Sequence, residues 1–156
     1  MTLALGTPAP DASGLLQDGS TFHVRDARGA PLVLFFYPKD FTLGCTAEVC
    51  GFRDAFAELS SEGGARIVGV SRDDAASHRR FIAEHNLTYD LLADTDGSVH
   101  AAYGAKRTGL ISIARRITYV IDAGGIVRGV FHHELRIGGH VADVRKCLAE
   151  LRAAAR

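Results

Sequence analysis

The chain carries three cysteines: Cys45 and Cys50 stand five positions apart beside Gly44, while Cys147 lies alone near the C-terminus. A chain of 156 residues can bury a core without covalent staples, so these cysteines read as chemistry rather than scaffold. The thiolate is the reactive form of cysteine, and a second thiol nearby can close a disulfide with it. No further cysteine lies near the pair to complete a zinc site, and no metal is expected. Cys147 is read as a small buried hydrophobe.

A strand and a helix must position the pair. Residues 32–37 form a continuous apolar run of strand type, and Val49, Phe52, Phe56 and Leu59 follow at spacings of three and four. Cys45 falls on the same stripe one turn earlier, so it opens a helix at the carboxyl end of a strand, where open sheets place their ligands. Gly63-Gly64 ends the helical pattern, and residues 67–71 make a second buried strand, completing a βαβ unit. Free N–H groups and the positive helix end favour a thiolate; cysteines so placed titrate between about 3.5 and 7.5 instead of about 8.5. A nucleophilic sulfur is expected at Cys45. If Thr42 is the N-cap, its hydroxyl lies within one turn of that sulfur, able either to cap the helix or to touch a substrate oxygen.

Helix geometry tests Cys50. Five helical residues separate two α-carbons by a rise of about 7.5 Å and a rotation of about 140°, hence by roughly 8.6 Å. A disulfide needs less than about 7 Å, so Cys45 and Cys50 can pair only if the helix locally unwinds. Two states are expected: a helical reduced form that presents Cys45 and a partly unfolded oxidised form that pairs it with Cys50.

Downstream, residues 75–85 read as a helix capped by Asp73 or Asp74 with Phe81 and Ile82 inward, followed by a turn and Leu91-Leu92. Asp94-Thr95-Asp96-Gly97 begins a short helix through Ala102, and a loop bearing Gly, Lys and Arg spans residues 104–112. Residues 117–122 and 126–131 form a hairpin around Ala123-Gly124-Gly125. Residues 140–154 form a final helix, with Val141, Val144, Leu148 and Leu151 inward and Arg145, Lys146 and Arg152 outward. This order describes one α/β domain, residues 1–156, whose mixed central sheet is covered by helices on both faces, parallel crossovers preceding an antiparallel edge pair.

The 18 Lys+Arg balance 18 Asp+Glu, removing the positive field that nucleic acid or an anionic membrane would need. No apolar run approaches the roughly 20 residues that span a bilayer, and residues 1–6 lack a basic leader; a cytoplasmic location is expected. The glycine pairs form no nucleotide-binding pattern, and no cofactor is expected. His132, His133 and His140, with Glu134 between them, read as a surface cluster, since adjacent strand residues point apart. Lys39 and Asp40 precede the helix, where they can pair or cap.

Residues 35–54, FFYPKDFTLGCTAEVCGFRD, resemble the active-site stretch of peroxiredoxins of the bacterioferritin-comigratory-protein, or Q-type, subfamily, with the motif Pro-x3-Thr-x2-Cys at Pro38, Thr42 and Cys45. Gly6-x-Pro8-Ala9-Pro10-Asp11, Gly69-Val70-Ser71 and Arg116-Ile117-Thr118-Tyr119-Val120-Ile121-Asp122 extend the resemblance over nearly the whole chain. It implies a thioredoxin-like fold and a thiol peroxidase acting on hydrogen peroxide and organic hydroperoxides in antioxidant defence. Cys45 would be the peroxidatic cysteine, Thr42 would hydrogen-bond the peroxide, Pro38 would shield the sulfur, and Arg116 would stabilise the thiolate and the leaving oxygen. Arg115 beside it would point to the opposite strand face.

By the same resemblance Cys50 would resolve the oxidised Cys45 within one chain, and thioredoxin or a similar dithiol protein would reduce the disulfide. Glu48 matches a glutamate common in the subfamily, where it would hold the active-site loop or stand solvated on the helix; Leu43 stands where many members carry proline. With both redox cysteines in one chain, a monomer is preferred over a dimer. The competing functions are a thiol-disulfide oxidoreductase or redox sensor on the same fold, whose cysteines usually lie two apart, and a binding module with incidental cysteines.

Overall fold

In the computed structural model the described residues are 2–61, 64–106, 115–133 and 138–155; Gly63, Glu134 and residues 107–112 of the expected loop lie outside them. Among the described residues one sheet contains β1 (Ser13–Leu16), β2 (Thr21–His23), β3 (Leu32–Phe36), β4 (Arg66–Ser71), β5 (Asp90–Ala93), β6 (Ile117–Ile121) and β7 (Val127–His132). The helices are α1 (Leu43–Ser61), α2 (Ala75–His85), α3 (Ser98–Ala102) and α4 (Gly138–Ala154). The strand order is β2-β1-β5-β4-β3-β6-β7.

All five residues of β3 are buried, because it lies between a parallel neighbour, β4, and an antiparallel one, β6, with both faces covered. Val33, Phe35 and the following Tyr37 pack with α1, α2 and α4, whereas Leu32, Leu34 and Phe36 pack with Val99 of α3 and the N-terminal segment. Helices therefore cover both faces, as expected. Phe35 stacks on Phe52 of α1 with ring centroids 4.4 Å apart. Gly69 on the neighbouring strand makes room for that ring, since a Cβ there would lie 2.6 Å from Phe35. This stack fixes α1 over the sheet; truncating the buried Phe52 to alanine would cost about 3–5 kcal/mol.

Asp74 caps α2 by accepting from the Ser77 N–H, and Asn86, in left-handed backbone at φ 52°, ends it. Phe81 is buried and Ile82 packs against the same core. The expected topology is incomplete at the far edge: β5 continues the parallel set beyond β4, and a β1–β2 hairpin lies antiparallel against β5. Antiparallel pairs thus close both edges rather than one. Strands of three or four residues are too short to show alternation, but Asp18-Gly19, with Gly19 at φ 83°, is a hairpin-turn signal between β1 and β2.

Candidate active site

The connection from β3 to α1 builds the site. Tyr37 continues the strand, its N–H donating to the Val70 carbonyl, and Pro38 then turns the chain away, half-buried. Phe41 sits in left-handed backbone at φ 64°, a strained conformation for a residue with a Cβ. The helix begins at Leu43, so Cys45 lies in its first turn, where backbone N–H groups have no intrahelical acceptor. Thr42 is exposed and precedes the helix, but its hydroxyl donates to the Lys39 carbonyl at 2.9 Å instead of capping, which leaves its oxygen as an acceptor. Leu43 is 94% exposed. Lys39 is exposed and Asp40 buried; Asp40 bonds to Tyr37, Ser77 and His78 rather than pairing with the lysine or capping α1.

Cys45 is only 1% exposed, and its environment is set from β6. Strand alternation sends Arg116, Thr118 and Val120 toward α1, while Arg115 falls on the opposite side near Tyr119. Arg116 Nη2 donates to Cys45 Sγ at 3.1 Å, and Nη1 donates to Glu48 Oε2 at 2.7 Å. One guanidinium thus grips the thiol and a carboxylate one turn further along α1. Burial alone would depress the Arg116 guanidinium, but Cys45 and Glu48 together hold it above its ordinary value. Glu48 is not solvated: its side chain is buried, and the ion pair with Arg116 offsets its desolvation.

The histidine cluster divides. His132 is exposed and His133 pairs with Asp143, but His140 is fully buried behind the site, which corrects the surface assignment. His140 Nε2 donates to the His133 carbonyl at 3.1 Å, so Nδ1 accepts from the Thr118 hydroxyl at 2.8 Å. Its Nε2 also lies 3.9 Å from Glu48 Oε1, closing a polar chain from α4 to Arg116. Burial, aided by the nearby Arg116 charge, lowers the His140 imidazole to about 4. The sequence reading put this residue on the surface and did not single out His78; the available signal was that each lies on the inward stripe of its helix, ahead of Val144 and Phe81 respectively.

Cys50 is half-buried on the intact α1, and all three cysteines are free thiols. Cys147 is buried in α4, as its reading as a small hydrophobe required.

A buried thiol in the first turn of a helix, gripped by a guanidinium from the adjoining strand of a mixed sheet, defines a thiol oxidoreductase. The model of the AhpC/TSA family matches residues 5–130, and the chain belongs to that family. It is 35% identical over 153 residues to the putative peroxiredoxin bcp of Coxiella burnetii, covering 92% of this chain and 97% of that protein. It is 34% identical over 146 residues to the chloroplastic peroxiredoxin Q of Oryza sativa subsp. japonica, covering 94% of this chain and 67% of the relative. The crystal structure of peroxidoxin BcpB from Mycobacterium tuberculosis superposes with a TM-score of 0.87 at 32% identity, covering 94% and 97% of the two chains. The thioredoxin-like fold is thereby established, and the chain is a thiol-dependent peroxidase with a peroxide substrate and a thiol reductant.

Proposed function

We propose that Cys45 is the peroxidatic thiol, Cys50 its resolving partner and a dithiol protein of the thioredoxin kind the reductant. The buried Arg116–Cys45 contact of 3.1 Å carries this reading, because it sets a permanent cation in hydrogen-bonding contact with the Cys45 sulfur. The Cys45 thiolate attacks one oxygen of hydrogen peroxide or an organic hydroperoxide in line with the O–O bond. An S–O bond forms as O–O breaks, the sulfur is oxidised by two electrons to a sulfenic acid, and the leaving oxygen takes a proton to depart as water or an alcohol. Arg116 faces the charge that develops, and Glu48 keeps its fork aligned. With its own hydrogen held by Lys39, Thr42 accepts from the peroxide; Pro38 shields the sulfur from water.

Opening of the first turns of α1 then brings the sulfenic sulfur to Cys50. The Cys50 thiol attacks it, a disulfide forms, and the hydroxyl leaves as water with the thiol proton. The reductant's two thiols exchange with this disulfide, emerging oxidised and returning Cys45 and Cys50 as thiols. Since one chain holds both sulfurs, a monomer suffices. Peroxide consumption coupled to thioredoxin and its reductase tests the assignment: Cys45→Ser abolishes turnover, and an unaffected Cys45→Ser protein would sink it.

A further inference from the structure

Asp40 and His78 form a second buried constellation, with both side chains fully enclosed. Asp40 belongs to the loop between Pro38 and Thr42. Its Oδ1 accepts from the Tyr37 hydroxyl at 2.6 Å; its Oδ2 accepts from the Ser77 hydroxyl at 2.8 Å and faces His78 Nδ1 at 2.7 Å. The Asp40 N–H donates to Asp73 Oδ2 at 2.9 Å. His78 Nε2 lies 3.1 Å from the Leu92 carbonyl, which can only accept, so that nitrogen carries a hydrogen. Burial and then the Asp40 charge push the Tyr37 phenol well above its ordinary value, so it stays a donor. Through one carboxyl group the loop is tied to Tyr37 beyond β3, to α2 and, by way of His78, to β5.

Resting on the assignment of Cys45 and Cys50 above, we propose that the Asp40–His78 pair is a positioning clamp that holds the Cys45 loop in its reactive form and limits its opening toward Cys50. Opening releases the loop from Asp40 onward, including Phe41, whose left-handed backbone is strained and whose ring packs on Phe81 at 4.9 Å. The strain at Phe41 favours release, and the bonds of Asp40 oppose it. Because both side chains are fully enclosed, each of those bonds is costly to leave unmade. The element is therefore bistable, with its balance set one residue upstream of the strained position.

The test compares wild type with Ser77→Ala and Asp40→Asn, following oxidation of Cys45 by stopped flow and the products by mass spectrometry across a peroxide series. Sulfenic acid that meets a second hydroperoxide before Cys50 takes up another oxygen, releasing water or alcohol and leaving sulfinic acid. A looser clamp slows the first oxidation and raises the ratio of disulfide to sulfinic acid. The expected shift is about threefold for Ser77→Ala, which removes one hydroxyl donor to the Asp40 carboxyl group, and about tenfold or more for Asp40→Asn, which alters the group that all of these side-chain bonds share. Folded variants with the wild-type rate and ratio, or with a ratio moved toward sulfinic acid, overturn the clamp. Should Asp40→Asn fail to fold, Ser77→Ala decides, because it keeps the backbone N–H that Asp74 caps. If wild type itself forms no Cys45–Cys50 disulfide, the resolving assignment falls and the clamp with it; if it forms one and the ratio does not move, the clamp alone falls.

Discussion

Cys45 and Cys147 are both buried, at 1% and 8% exposure, and both belong to the core between the sheet and the α1, α2 and α4 face. Cys45 lies in the first turn of its helix with a guanidinium 3.1 Å from the sulfur. Cys147 lies in the body of α4, where its thiol donates to the Arg128 carbonyl at 3.8 Å, an acceptor that favours the protonated form. Burial, and then the Glu150 charge, push the Cys147 thiol up to about 11. Depth alone therefore makes a thiol inert. Helix position and a fixed cation are what the two sites do not share, and in the proposed function they separate the peroxidatic sulfur from the packing one.

The largest test of this contrast is substitution at each sulfur: peroxide turnover vanishes in Cys45→Ser and persists in Cys147→Ser. Next comes the cation. Arg116→Met slows the first oxidation by about 10²–10³-fold, the usual consequence of removing a donor aimed at developing charge, while Arg115→Met leaves the single-turnover rate unchanged.

Two smaller effects concern stability and have opposite signs with pH. His140, lowered to about 4, binds fewer protons folded than unfolded, so stability is present above the ordinary histidine range and is lost as pH falls toward 4. Urea denaturation at pH 7 and pH 5 should differ by about 2 kcal/mol from this group, and His140→Gln should remove that component. Cys147, raised to about 11, contributes stability that is present below the ordinary thiol range and is lost as pH rises toward 11. By pH 10 its share is about 1 kcal/mol, absent in Cys147→Ser, and alkylation of the native Cys147 should become half-maximal only near pH 11.

Much of the reactive centre was legible because its signals are local. The apolar run before Pro38 and the stripe from Val49 to Leu59 place Cys45 at a helix start, and both elements form where expected. The resemblance pointed to Arg116, strand alternation allowed only one of Arg115 and Arg116 to face the site, and the contact that Arg116 makes spans 71 positions. Glu48 was half-read: its place on α1 was clear, but its burial depends on a guanidinium 68 positions away. His140 was read as exposed, Asp40 only as able to pair or cap, and His78 not at all, since a polar residue becomes internal only when distant partners satisfy it, and no periodicity reports those partners. The β1–β2 hairpin was missed for a different reason, its strands being shorter than the alternation that would reveal them.

The most direct test of the contrast between the sulfurs is peptide mapping after one equivalent of hydrogen peroxide, with free thiols alkylated and no reductant. Trypsin cuts after Lys39 and Arg53, placing Cys45 and Cys50 together in DFTLGCTAEVCGFR, and after Lys146 and Arg152, isolating Cys147 in CLAELR. The expected result is the first peptide unalkylated and about two mass units light, with CLAELR fully alkylated. An alkylated Cys45, or oxidation appearing at Cys147 instead, would contradict the account.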